Sequence, residues 1–188
     1  MNPVAFAMTG LVFGLWLNAL NLLGIASTPA SEGASHPAKS VAVGGSLVAA
    51  ITLIIGAVWL FVGVPFGEGA LSVQAMFSGI MGMYGLLWIA VFAMQWFGVD
   101  PRPIGNLCLL MAIMQFIHMI GYWTITNMAT AHNWIELIVL GTYVVLLYMF
   151  WKLLNGKMAA SPVGWWAMVT VVGTLYLLYF SGGIFPAP

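Results

Sequence analysis

The chain has 188 residues, of which 63% are hydrophobic, 14% aromatic and 4% charged. Average soluble domains carry about 25% charged residues, and four Lys/Arg with four Asp/Glu cannot coat a 20.2 kDa globule in water. That excludes an ordinary soluble domain, a disordered chain and a nucleic-acid binder, which needs basic residues to neutralise phosphates, and leaves an integral membrane protein with lipid as its main solvent.

A helix needs about 20 apolar residues to cross the hydrocarbon core. Six stretches qualify, at about 4–25, 41–64, 74–97, 104–127, 134–154 and 163–185. Runs of this length are not barrel strands, which would be about ten residues long and alternating. The start, residues 1–8, has no Lys or Arg and so lacks the basic region of a signal peptide, which makes the first stretch a retained span. It carries Asn18 and Asn21 three residues apart, and Gly10 and Gly14 as a GxxxG pair. The connection 26–39 is rich in Ser, Pro, Ala and Gly and reads as a loop. Gly45 and Ala49 repeat the small-residue spacing in the second span, and Gly79, Gly82 and Gly85 step by three in the third. Such residues let helix backbones approach closely.

The third span also holds Trp88 and Gln95, and it ends before a tight turn, Asp100-Pro101-Arg102-Pro103. Asp100, Arg102 and Pro103 are expected to fix that turn through hydrogen bonds or a mutual pair. Cys108, the one cysteine, allows neither an intrachain disulfide nor a thiolate cluster. Gln115, His118 and Tyr122 share a face of the fourth span, Thr142 and Tyr143 lie in the fifth, and Thr170 and Thr174 in the sixth. The connections are short, so residues 1–188 are expected to form a single all-α six-helix transmembrane domain with no soluble head.

Ionisable chemistry within the spans is sparse. Glu136 and His118 are the candidates, since His36 and His132 fall in predicted loops. That is too few for a diheme site or a zinc site, no lysine lies at mid-span for a Schiff base, and no nucleophile–base set can be placed. The neutral polar groups must still find partners in lipid. They either tie helices together or line a narrow conduit for an uncharged polar solute, which needs hydrogen-bonding groups and no fixed charge. On the second reading the lining is Asn18, Trp88, Gln95, Gln115, His118 and Thr142.

Lys39, Arg102, Lys152 and Lys157 all fall on connections of one face. The positive-inside rule makes that face cytoplasmic and puts both termini outside.

The segment 84–113, YGLLWIAVFAMQWFGVDPRPIGNLCLLMAI, resembles the AmiS/UreI family of urea and short-chain amide channels. The matching ending is Phe97, Gly98, Val99, Asp100, Arg102 and Pro103. Asn21 and Gly24 closing the first span, and VAVGGSL at 41–47 opening the second, are also similar. The resemblance implies a homohexamer in the cytoplasmic or inner membrane, each protomer with its own pore, passing urea or small amides without a cofactor and without catalysis. Carried across without gaps, the family's third-span pore aromatics fall on Leu86 and Ala90 and its third-span Asn on Met94. Its fifth-span tryptophans fall near Thr142 and Leu146, and its last-span carboxylate near Thr170. The expected function is thus a passive channel for a small neutral solute. With Glu68 and His132 as the ionisable groups of the outside connections, opening by acid is not expected. A structural subunit of a larger membrane complex is the alternative, followed by a membrane enzyme or redox carrier.

Overall fold

The computed structural model describes residues 2–25, 36–126, 128 and 130–181. Long apolar runs in lipid must satisfy every backbone group internally, and the helix does so within one segment. Six helices are long and apolar enough to cross a membrane: α1 Pro3–Leu22, α2 Pro37–Gly63, α3 Glu68–Phe97, α4 Pro101–Thr126, α5 Ala131–Leu154 and α6 Ala160–Ser181. No strand occurs among the described residues.

All but α1 start three or more residues ahead of the predicted apolar run, because the starting turn is polar or proline-led. Asn2 caps α1 by accepting from the Val4 amide at 2.8 Å, with Pro3 in its first turn. His36 caps α2 through its Nδ1, which accepts from the Ala38 amide at 3.2 Å, so Lys39 lies in a helix and not in the predicted loop. Thr130 caps α5 by accepting from the Asn133 amide at 3.2 Å, which places His132 in a helix as well. The rest of the 26–39 loop, and the predicted end of the sixth span beyond 181, lie outside the described residues.

The main packing pairs are α1 with α2, α2 with α3, α3 with α4, α4 with α5, α5 with α6, and α6 with α1. The helices therefore form a ring in chain order, closed by α6 on α1. Asn2 fastens that closure, donating from Nδ2 to the Ser181 carbonyl at 2.9 Å, so the start of α1 and the end of α6 share one end of the ring. All four Lys/Arg lie at the other end, the basic end, where Lys39 sits 5.5 Å over the ring of Trp96.

Small residues set the tight seams. A Cβ added to Gly14 would lie 2.7 Å from the Cβ of Ala49 and 3.4 Å from the Trp88 ring, so α1 and α2 meet through the spacing seen in the sequence. Of the three stepped glycines in α3, Gly85 is tight, 2.6 Å from Ile54, whereas Gly79 faces open space. Large apolar side chains such as Phe61, Val62, Ile138 and Val172 point outward, as a lipid-solvated surface requires.

Candidate functional site

Among the described residues the ring holds a cavity toward each end. The basic-end cavity, about 160 Å³, is walled by α1, α3, α4 and α5 and includes Asn18, Asn21, Trp88, Gln95 and Cys108 among leucines. The terminal-end cavity, about 50 Å³, includes Gln115, Glu136 and Ser181 with Phe77, Ile80 and Leu140. Either exceeds the ~10–15 Å³ that one water requires. Leu11, Tyr84 and Tyr143 border both cavities and so separate them. The two tyrosine rings meet edge to face with centroids 5.5 Å apart, and the Tyr143 hydroxyl bonds the Thr174 hydroxyl of α6.

Two polar residues lining the basic-end cavity, Asn18 and Gln95, belong to a closed hydrogen-bond cycle that Ser46 completes across three helices. Asn18 Nδ2 donates to Ser46 Oγ at 3.3 Å, Ser46 Oγ donates to Gln95 Oε1 at 2.7 Å, and Gln95 Nε2 donates to Asn18 Oδ1 at 2.5 Å. Asn18 also donates to the Gly14 carbonyl at 2.8 Å. Ser46 sits in a π-helical stretch of α2, Ala42–Leu47. Such a stretch rotates side chains off the α-helical register and often marks a functional position. Here it carries a fully buried hydroxyl between the two amides.

Asn18, Trp88 and Gln95 thus share one cavity and Gln115 belongs to the other. His118 and Thr142 line neither. Thr142 spends its hydroxyl on the Val139 carbonyl at 2.7 Å, and its own carbonyl accepts from Trp166 Nε1 at 3.0 Å, so it joins α5 to α6. His118 is half-buried on α4. The ungapped carry-over to Leu86 does not reach the ring interior either, since Leu86 is 64% exposed. Two residues to either side, Tyr84 and Trp88 face inward instead.

At the terminal end Glu136 accepts from the Tyr122 hydroxyl, and His132 Nε2 lies 3.5 Å from its other oxygen. His132 Nδ1 is 3.1 Å from the Tyr176 hydroxyl, and its ring stacks on Phe180. The histidine read as an isolated loop residue is therefore part of a buried cluster. Among the described residues no three of His, Cys, Asp and Glu come together as a metal site.

The turn between α3 and α4 is built from its own residues. Gly98 closes α3 in the left-handed region, with φ 70°, and donates to the Met94 carbonyl at 3.0 Å. Asp100 accepts from the Arg102 amide at 3.0 Å and from its guanidinium at 2.6 Å. The Arg102 side chain, and then its amide, hold the Asp100 carboxyl down at about 2.

Beside this geometry, the sequence matches the family model of the AmiS/UreI family transporters over residues 7–180. The chain belongs to the AmiS/UreI family. Neither the curated proteins nor the solved structures gave a match. AmiS/UreI membership, with six helices apolar enough to cross a membrane, makes this a multi-pass membrane transporter.

Sequence reasoning missed Ser46 and Tyr84, and it named Tyr143 as a polar group of the fifth span without placing it on the lining. The available signal was a spacing of seven, two helical turns. Leu11 and Asn18, Trp88 and Gln95, Cys108 and Gln115, and Glu136 and Tyr143 are all seven apart and line the two cavities.

Proposed function

We propose that the chain is a passive channel for a small neutral solute bearing an H₂N–C=O group, urea or a short-chain amide. The observation that carries this reading is the pair of cavities in line within the ring, meeting at Leu11, Tyr84 and Tyr143. The solute enters at the basic end beside Asn18 and Gln95, passes along Trp88, crosses between the two tyrosines and leaves past Gln115. One amide hydrogen of Gln95 and the amide of Asn21 offer hydrogen bonds in place of water, and the leucine walls admit no hydrated ion. No lysine or arginine lines either cavity, so no fixed cation holds an anion.

The basic end faces the cytoplasm by the positive-inside rule, with the termini outside and the protein in the cytoplasmic or inner membrane. Protomers assemble as the homohexamer that the family implies, with one path per protomer. Asp100, Arg102 and Pro103 fix the basic-end turn and do not touch solute. No cofactor or catalytic step is involved.

The test is solute flux into proteoliposomes, followed by stopped-flow light scattering. Urea or acetamide entering several-fold faster than into protein-free vesicles is expected. Equal rates for both would defeat the channel reading.

A further inference from the structure

The terminal-end cavity contains a side chain that the packing does not account for. Gln115 is fully buried, and neither its Nε2 nor its Oε1 has a hydrogen-bond partner among the described residues. The Tyr84 hydroxyl, from a residue bordering the same cavity, is likewise buried and without a partner there. The neighbouring polar groups are engaged: Glu136 with Tyr122, Tyr143 with Thr174, and Ser181 with the Leu177 carbonyl at 2.6 Å.

Buried polar atoms lacking partners are costly and few in folded proteins. If Gln115 only filled space, leucine or methionine would do so without that cost. Its amide presents a donor and an acceptor side by side. The group that complements both at once is another primary amide, in which the solute N–H donates to Gln115 Oε1 while Gln115 Nε2 donates to the solute carbonyl. The Tyr84 hydroxyl can supply a further donor to a solute carbonyl in that cavity. A polyol, whose hydroxyls sit on tetrahedral carbons, cannot make the same planar pair of parallel bonds.

We propose that Gln115 and Tyr84 form a solute-binding station in the terminal-end cavity that reads the planar H₂N–C=O group, and that Gln115 sets the preference for amides and urea over polyols. The proposal rests on the channel reading above and deepens it. The station is distinct from the Asn18–Ser46–Gln95 cycle, whose amides are bonded largely to one another.

Wild-type protein, Gln115→Leu and Tyr84→Phe are compared in proteoliposomes for acetamide, urea and glycerol permeability, with thermal unfolding in detergent measured alongside. Gln115→Leu is expected to lower the acetamide-to-glycerol and urea-to-glycerol permeability ratios about tenfold, the loss of roughly one well-formed hydrogen bond. Tyr84→Phe lowers them less, and the unfolding temperature of Gln115→Leu stays level or rises. Unchanged ratios in both variants, with wild-type flux present, would overturn the station and leave the channel reading standing. Failure of Gln115→Leu to fold would also overturn it, since the amide would then be serving the fold. Absence of solute flux through the wild type would remove the channel reading itself, and the station with it.

Discussion

Ser46 donates to Gln95 and accepts from Asn18, so Ser46→Ala leaves the buried Asn18 amide and the half-buried Gln95 amide each short of one bond. Each such loss costs about 1–3 kcal/mol. The variant is therefore expected to unfold at lower temperature in detergent, with the change followed by tryptophan fluorescence. A wild-type melting temperature would contradict the cycle. His118 and Thr142 make the opposite case. Both were legible in the sequence as polar residues inside spans, yet neither lines a cavity, because periodicity marks a face and not the neighbour that face meets. On α4, Gln115 and Tyr122 are both buried, whereas His118, three residues on from Gln115, is only half-buried. Thr142→Ala is expected to leave urea and acetamide flux at the wild-type level. A marked loss of flux at normal expression would return that residue to the path.

At the scale of helices, Gly14 and Gly79 are chemically identical and physically opposite. Gly14→Ala drives a methyl group into Ala49, and overpacking of this kind costs about 1–3 kcal/mol. Gly79→Ala meets nothing within 4 Å and gains helix propensity of up to about 1 kcal/mol. Paired melting curves should move in opposite directions, and parallel shifts would contradict the seam assigned to α1 and α2. The small-residue steps were visible in the sequence, but which of them is a seam depends on the partner helix, which the sequence does not display. The α3–α4 turn was more legible, since Gly98, Asp100 and Arg102 act on groups within a few residues. Arg102 holds the Asp100 carboxyl at about 2, below its ordinary value of 3.8. A depressed carboxyl contributes stability that is present above about pH 4 and lost as pH falls through about 2. Asp100→Asn should therefore flatten the acid limb of the melting temperature between about pH 4 and 2. An unchanged acid limb would place that stability elsewhere.

For the molecule as a whole, the six spans followed from apolar length alone, because lipid leaves a long apolar segment few alternatives to a helix. The lumen did not follow, since it requires α6 to close on α1, and the π-helical turn that sets Ser46 between Asn18 and Gln95 was not visible either. The His132 cluster also bears on the whole assembly. His132 rests against Glu136, Tyr176 and Phe180 and is held on α5 by contacts with both its own helix and α6. Flux is expected to stay roughly constant between about pH 5 and 7.5, the range in which a histidine titrates. A several-fold rise on acidification that His132→Ala abolishes would show acid opening.

The route through the ring can be probed at Cys108, the chain's one cysteine, which lines the basic-end cavity. A small membrane-permeant mercurial bound there would stand in the lumen. The decisive measurement is urea and acetamide flux in proteoliposomes before and after mercurial treatment, for the wild type and for Cys108→Ala. Flux through the wild type should fall toward the protein-free rate and recover on adding excess thiol, while Cys108→Ala conducts throughout. Wild-type flux that persists with the thiol fully modified would contradict a path through the interior of each protomer.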